Sequence, residues 1–254
     1  MNDPFLSIVI PAYNEEQRIG SSLERILRYL KPRGRPFEFV VVDDGSEDRT
    51  ADIAREFGTS EDADWSLRLL PNDGNRGKGY SVRRGMLEAQ GAYALLTDAD
   101  LSSPIEEILK LEKEVVDGNC DIAFGSRDLE DSEIQVRQSW FRETSGKIFN
   151  RLVRLSTGLP YADTQCGFKL FKMSSCRDLF RKQTIEGLSY DVEILYMARN
   201  RGFTLKEVPV VWRHSEGSRV RFAPDAFQMA WDLLRIRWND MRGRYGQQTT
   251  DNRQ

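Results

Sequence analysis

The sequence predicts an α/β fold: a doubly wound, mainly parallel sheet, with basic amphipathic helices in the C-terminal part. Three observations predict it. Apolar runs of strand length alternate with segments whose apolar residues recur at helical spacing. Three of these runs end in polar clusters: Ser7-Ile8-Val9-Ile10 enters Pro11-Ala12-Tyr13-Asn14-Glu15-Glu16, Phe37 to Val42 enters Asp43-Asp44-Gly45-Ser46, and Ala92 to Thr97 ends at Asp98-Ala99-Asp100. The 254 residues are enough to bury one large core. If the strands are parallel neighbours, the three clusters line one crevice at their carboxyl ends, where open α/β sheets bind ligands.

Each element follows from its local pattern. The first strand leads into a helix over Glu15 to Leu30, whose Ile19, Leu23, Ile26, Leu27 and Leu30 keep helical spacing until Lys31-Pro32-Arg33-Gly34 stops it. After the strand ending at Val42, Asp48-Arg49-Thr50 opens a helix through Phe57, and Leu67 to Leu70 supplies a third strand. The turn Asn75-Arg76-Gly77-Lys78-Gly79 opens a helix over Tyr80 to Gln90, which feeds the strand ending at Asp98. Pro104, tolerated in a first turn, starts an acidic helix over Ile105 to Val116, and Cys120 to Phe124 is a short strand. Beyond it, Val136 to Leu155 reads as a basic amphipathic helix and Ala162 to Phe171 as loop and strand. Val192 to Arg199 reads as a helix, Leu205 to Val211 as a strand and Ala226 to Met241 as the last helix.

Composition excludes several classes. Lys and Arg total 37 against 40 Asp and Glu, a formal charge of −3, so no global basic field argues for nucleic acid. Cys120, Cys166 and Cys176 match no zinc or disulfide framework, which fits a reduced cytosolic environment. His214 is the sole histidine, which removes zinc hydrolases and any triad that needs one elsewhere. No signal-peptide pattern opens the sequence, and no apolar run approaches the ~20 residues of a membrane span. The expectation is a protein that is soluble or sits on a membrane face.

The candidate chemistry lies in five places. Asp98 and Asp100, two residues apart, would share a face in a regular strand; their hard oxygens suit Mg²⁺ or Mn²⁺ bridged to a diphosphate, the alternative being a solvated strand end or a helix cap. Asp43-Asp44-Gly45-Ser46 is either a turn that caps the next helix or an acid reaching a base or ribose. Around Lys78 the Walker spacing is absent, yet a helix N-terminus with glycines and a lysine favours an anion. In the 136–155 segment Phe141, Ile148, Leu152 and Leu155 form a stripe flanked by Lys147, Arg151 and Arg154, with Arg137 and Arg142 adding charge. The last helix sets Phe227, Trp231, Leu234 and Trp238 beside Arg235, Arg237 and Arg242. Each of these helices is either packed with one solvated side or interfacial against anionic lipid.

Together, Ile8 to Glu16, Val42-Asp43-Asp44-Gly45-Ser46, Asn75 to Gly79 and Asp98-Ala99-Asp100 resemble the family 2 inverting glycosyltransferases with the GT-A (nucleotide-diphospho-sugar transferase) fold. Gly125-Ser126-Arg127, Asp163 to Phe171 and Tyr190-Asp191-Val192-Glu193 resemble the polyprenyl-phosphate group, most of all its dolichyl-phosphate β-glucosyltransferase branch. The resemblance implies that Pro11, Tyr13, Glu15, Asp43, Lys78 and Asp98 bind the donor, and that Asp98 and above all Asp100 hold the metal. It implies a loop at Gly217-Ser218-Arg219 closing over the donor, and Arg127 and Arg142 gripping the lipid phosphate, with Gln165 and Asp191 on the acceptor side. The implied partners are a UDP-sugar, a polyprenyl phosphate and an anionic membrane surface, with self-association left open and a peripheral, cytoplasmic location. The implied organisation is one catalytic domain over residues 1–245, its nucleotide-binding half at 1–127 and its acceptor half at 128–245, then a disordered tail at 246–254.

Four other readings stand beside it. GDP-mannose would replace the donor, or a saccharide hydroxyl would replace the phosphate acceptor and require a base such as Asp163 or Asp191. A non-catalytic membrane-surface module is disfavoured by intact acids at all three strand ends. A nicotinamide dehydrogenase is disfavoured because no glycine-rich fingerprint follows the first strand.

Overall fold

The computed structural model describes residues 3–59, 64–136, 150–213 and 222–246. Its centre is a seven-stranded sheet in the order β3-β2-β1-β4-β7-β5-β8. The strands are β1 (Leu6–Ala12), β2 (Phe37–Asp43), β3 (Trp65–Pro71), β4 (Tyr93–Leu96), β5 (Ile122–Ser126), β7 (Lys169–Lys172) and β8 (Leu205–Pro209). A second, two-stranded sheet pairs β6 (Glu133–Val136) with β9 (Val211–Arg213). In the large sheet every pairing is parallel except those of β7, which runs antiparallel between β4 and β5.

Buried on both faces, β1 and β2 read as continuous apolar runs, and alternate residues face opposite layers. Ile8, Ile10, Phe39 and Val41 pack with α1 (Ile19–Leu30), α2 (Thr50–Phe57) and the helical stretch 105–117. Val9, Val40 and Val42 pack with α3 (Lys78–Glu88), α6 (Met173–Lys182), α7 (Tyr190–Asn200) and α8 (Phe222–Met241) on the other side. Helix α1 turns Ile19, Ser22, Leu23, Ile26 and Leu30 inward, the stripe its spacing predicts, and Gly34 ends the 3₁₀ turn after it in the left-handed conformation.

Register aligns the chemistry. Ala12 pairs with Asp43, and Val9 pairs with Leu96, so the loops after β1, β2 and β4 leave one edge of the sheet. The chain turns back between β1 and β4, the switch point where such sheets bind ligands. Because β7 reverses direction, Lys169 opposite Leu96 brings residues 163–168 across that same edge, and Arg127 after β5 emerges there too.

Several local expectations are corrected. Asp98 and Asp100 are not in a regular strand, since β4 stops at Leu96 and Leu101 takes a positive φ of 47°. The helix after Asn75 begins at Lys78, and Pro104 stands outside its helix with an extended ψ of 142°. That helix tightens to 3₁₀ at Ile105–Glu107, is α only over α4 (Ile108–Glu112) and widens to π at Lys113–Asp117. Val136 ends a strand rather than starting a helix, and the 205–211 strand divides after Pro209. Residues 150–157 form helix α5, whose Asn150, Val153 and Thr157 are buried while Leu152 and Leu155 face out. The rest of that amphipathic segment, with Arg137, Phe141, Arg142, Lys147 and Ile148, lies outside the described residues, as do His214 and 247–254 of the tail.

Candidate active site

The loops leaving β1 and β2 brace each other. The backbone N–H groups of Asn14, Glu15 and Glu16 donate to Ser46 Oγ (2.9 Å), Thr50 Oγ1 (2.7 Å) and Asp48 Oδ2 (3.1 Å), and Glu47 N–H donates back to Asn14 Oδ1 (2.8 Å). Pro11, Tyr13 and Glu15 stand half-buried along this seam, and the Glu15 carboxylate is held by Arg18 at 2.6 Å. Asp43, at the end of β2, is buried; Oδ2 accepts a long bond from Ser46 N–H (3.4 Å), while Oδ1 has no hydrogen-bond partner. A buried acceptor left unmade costs about 1–3 kcal/mol, so it asks for a donor from outside the chain.

Asp44, its neighbour, is a structural clip. Its carboxylate accepts Asn72 Nδ2–H (2.7 Å), Arg76 N–H (3.0 Å) and Gly77 N–H (2.9 Å), fixing the loop that starts α3. Gly45, at φ 73°, is required there, because a Cβ would meet the backbone of Gly74 at 2.4 Å. The pair Asp43-Asp44 thus divides into one acid facing an unmet need and one spent on geometry.

At the end of β4 four charges gather. Lys78 Nζ lies 2.6 Å from Asp98 Oδ1, and Lys169 Nζ lies 2.7 Å from Asp191 Oδ1. Burial alone would pull the Lys78 ammonium down, but Asp98, Asp191 and Asp100 outweigh it and hold its pKa above the ordinary value. Burial pushes the Asp191 carboxyl up, against the pull of Lys169 and Lys78. Asp98 rests directly on Gly167: a Cβ there would come within 2.2 Å of Oδ2. Asp100 Oδ1 accepts Ser102 N–H at 2.9 Å, and Ala99, buried between the two acids, anchors their turn through its carbonyl to Ser22 Oγ (2.7 Å).

These donors fit a hard divalent cation. Two half-exposed carboxylates two residues apart stand at a ligand-binding edge, and among the described residues no cluster of three or more His, Cys, Asp or Glu forms a closed cage. Remaining ligands for Mg²⁺ or Mn²⁺ would be substrate oxygens and water.

Arg127 is committed more than its sequence suggests. Nε and Nη2 donate to the two oxygens of fully buried Asp163 at 2.6 and 2.9 Å, and the guanidinium lies 5.7 Å from the Trp212 ring centroid. Burial alone would raise the Asp163 carboxyl, but Arg127 and the N–H groups of Gln165 and Arg127 bring it below its ordinary value. The guanidinium fork expected to face a phosphate is therefore occupied by Asp163, leaving Nη1 outside the pair. Gln165, half-buried, comes next on the strip that passes Asp98. Arg142, Ser218 and Arg219 lie outside the described residues.

Three participants escaped the sequence reading as site residues: Lys169, Gly167 and Asp44. Lys169 carried a signal, a lone lysine inside the apolar run Phe168 to Phe171; the other two show only through contacts distant in sequence. Glu193, the last residue of the Tyr190-Asp191-Val192-Glu193 motif, is fully buried and bonded to the chain.

Comparison with known proteins places the chain in a family. The sequence profile of Glycosyl transferase family 2 matches residues 7–180. The dolichyl-phosphate β-glucosyltransferase of Drosophila melanogaster is 39% identical over 91% of this chain and 74% of its own length. Those of Dictyostelium discoideum (34%, covering 94% and 76%) and Saccharomyces cerevisiae (35%, covering 95% and 76%) are similar to the same extent. Among solved structures, mannosyl-3-phosphoglycerate synthase from Rubrobacter xylanophilus superimposes with a TM-score of 0.67 at 17% identity, covering 98% of this chain and 78% of that one. Glucosyl-3-phosphoglycerate synthase from Mycobacterium tuberculosis, in complex with Mn²⁺, UDP-glucose and phosphoglyceric acid, gives 0.63 at 17% identity, covering 97% and 81%.

Proposed function

Because the chain belongs to glycosyl transferase family 2, we propose that it moves glucose from UDP-glucose to a polyprenyl phosphate, dolichyl phosphate being the acceptor named for its relatives. The observation that carries the site assignment is the unmet acceptor of Asp43 at the end of β2, two strands away from the Lys78–Asp98 pair at the end of β4. Two strand spacings are ~10 Å, a span suited to a nucleobase at one end and its diphosphate at the other. Asp43 Oδ1 takes the N–H of the base; Pro11, Tyr13 and Glu15 line the nucleoside; Lys78 meets the diphosphate. Asp100 and Asp98 are the residues that would hold Mg²⁺ or Mn²⁺, which supplies charge stabilisation to the departing diphosphate. Residues 1–127 then form the donor half of the domain and 128–245 the acceptor half.

An acceptor phosphate, with a second pKa near ~6, is largely ionised at neutral pH and needs no protein base. Asp163, locked by Arg127, supplies none. Attack opposite the leaving diphosphate inverts the anomeric centre and yields a β-linked product. Arg127 Nη1, Gln165 and Asp191 border the acceptor side of this edge. Asp191, raised by burial, is the residue that a hydroxyl-acceptor reading would call on as base. Asp43→Ala should weaken UDP about tenfold, the scale of one hydrogen bond to a buried charge. Calorimetry with UDP checks it, and unchanged affinity would remove Asp43 from the nucleotide site.

The acceptor's lipid tail calls for a membrane face, and α8 and α5 supply one. Phe227, Trp231, Leu234, Trp238 and Met241 repeat at spacings of three and four along α8 and are all exposed, as are Leu152 and Leu155 on α5 beside Arg151 and Arg154. Arg242 stacks on Trp238, while Arg235 and Arg237 are partly drawn inward to Thr184 O and Tyr196 Oη. A tryptophan-rich stripe edged by arginines suits anionic lipid, and no helix among the described residues is long and apolar enough to cross a membrane. The enzyme would act peripherally, on the cytoplasmic face; the three free, buried cysteines suit that reducing side. Trp231→Glu combined with Arg151→Glu should lower partition into anionic vesicles by more than about tenfold, each basic residue contributing about 1 kcal/mol. Equal flotation of variant and wild type would mean that another surface docks.

A further inference from the structure

Glu193 is fully buried, and its carboxylate is saturated by bonds from the chain itself. From α7 it accepts Thr184 N–H (3.0 Å), Thr184 Oγ1–H (2.7 Å), Ile185 N–H (2.9 Å) and Tyr245 Oη–H (2.7 Å). Those bonds shape the turn of residues 183–187. The turn in turn lies against the start of α3 on either side of Lys78. A Cβ at Gly77 would meet Glu186 O at 2.6 Å, and one at Gly79 would meet Ile185 O at 2.6 Å and Gly187 O at 2.7 Å. Tyr80 N–H donates to Glu186 O (3.1 Å), and Gln183 Nε2 bridges Gly79 O (2.8 Å) and Ile185 O (2.9 Å). From the far side, α8 closes the assembly: Asn239 Nδ2 donates to Thr184 Oγ1 (2.9 Å) and Arg235 Nη2 to Thr184 O (3.3 Å).

We propose that Glu193 is a positioning residue for sugar-nucleotide binding: through the 183–187 turn it sets the backbone that carries Lys78, and so the place of the ammonium that meets the diphosphate. This rests on the donor role proposed for Lys78. A carboxylate that gathers four donors at one point fixes their relative positions to within hydrogen-bond tolerance, and an uncharged amide cannot accept from all of them. The two glycines flanking Lys78 have no side chains of their own to lock the loop, so its position is imposed by its partners: the Asp44 carboxylate at the N–H groups of Arg76 and Gly77, and the 183–187 turn along Gly77 to Tyr80. The same turn is bonded to the inner face of α8, whose outer face is the apolar stripe. Glu193 therefore stands between the exposed helix and the donor lysine.

The test is a double-mutant cycle read by UDP titration in the presence of Mn²⁺, with uridine as the ligand lacking the diphosphate. Lys78→Ala should weaken UDP about tenfold or more, and Glu193→Gln by about tenfold, the scale of one charge-assisted hydrogen bond. The double variant should bind UDP within about twofold of Lys78→Ala alone, because both changes remove one interaction. Uridine should bind wild type and Glu193→Gln alike. Additive losses, or an equal loss for uridine, would overturn the proposal and leave Glu193 with a structural role only. Normal UDP binding by Lys78→Ala would overturn the donor role of Lys78 and this inference together; weakening by Lys78→Ala but not by Glu193→Gln would overturn the inference alone. Should Glu193→Gln fail to fold, Tyr245→Phe removes one donor and keeps the carboxylate; it should weaken UDP about twofold with uridine unchanged, and unaltered UDP affinity would count against the proposal.

Discussion

Asp100→Ala should lower turnover by about a thousandfold or more, the scale of losing a principal electrostatic partner of a developing charge. Asp100 sits half-exposed just past β4, with a single described contact, the bond from Ser102 N–H. Its removal should cost no more than about 1 kcal/mol of stability, so the loss of rate is not a loss of fold. Asp98 differs: its carboxylate is already paired to Lys78 and seated on Gly167, and Asp98→Ala should disturb that lysine as well as the cation. Single-turnover rates over a range of Mn²⁺, with circular dichroism as the control, check the prediction. Near-normal turnover of Asp100→Ala at saturating metal would take the metal role away from it.

Arg127→Ala should destabilise the protein by about 3–5 kcal/mol at neutral pH, because it leaves a buried carboxylate without its charge partner. In the wild type the folded pKa of Asp163 is depressed, so the stabilisation is fully present above the unfolded carboxyl value near ~3.9 and is lost as pH falls through the lower folded value. In the variant, burial of Asp163 goes unopposed by the guanidinium and the sign reverses: its folded pKa rises, and acidification relieves the penalty. The gap in melting temperature between the two proteins should therefore narrow as pH is lowered from 7 toward 5. A variant as stable as wild type, or a gap independent of pH, would show that the Arg127–Asp163 pair contributes little. Asp163→Asn with Arg127 retained frees the guanidinium and separates acceptor affinity from the pair's structural contribution.

Which parts were legible in the sequence depends on where the controlling contacts lie. Strands β1, β2 and β4 were readable because a parallel strand buried on both faces must be apolar throughout, and the loop residues after it are exposed at the ligand edge. Asp43, Lys78, Asp98 and Asp100 fell on one edge for that reason. The insertion of β7 between β4 and β5 was not readable, since an antiparallel pairing of Leu96 with Lys169 leaves no local pattern in either segment. Lys169 shows in the sequence as a lone lysine inside an apolar run, but its burial does not: a lysine is expected outside unless a distant partner such as Asp191 is known. The helix at Met173–Lys182 was missed because its inward residues, Met173, Cys176, Leu179 and Phe180, are few and set among serines, arginines and a lysine. On α5 the sequence pattern runs an apolar stripe through Leu152 and Leu155, while the fold buries Val153 and Thr157; periodicity gives a helix its faces, and only tertiary contact decides which one turns inward.

The most direct measurement of the central claim is the product of the reaction itself. Purified protein, Mn²⁺ and dolichyl phosphate in anionic vesicles are incubated separately with UDP-glucose, UDP-N-acetylglucosamine and GDP-mannose, and the lipid fraction is analysed by mass and by the anomeric coupling of the attached sugar. The account predicts a β-linked hexosyl phosphate lipid from UDP-glucose, with little product from the other two donors. A clear preference for GDP-mannose would contradict the donor assignment, and a hexose recovered only on added saccharide hydroxyls, with the lipid phosphate unmodified, would contradict the transfer reaction proposed for this site.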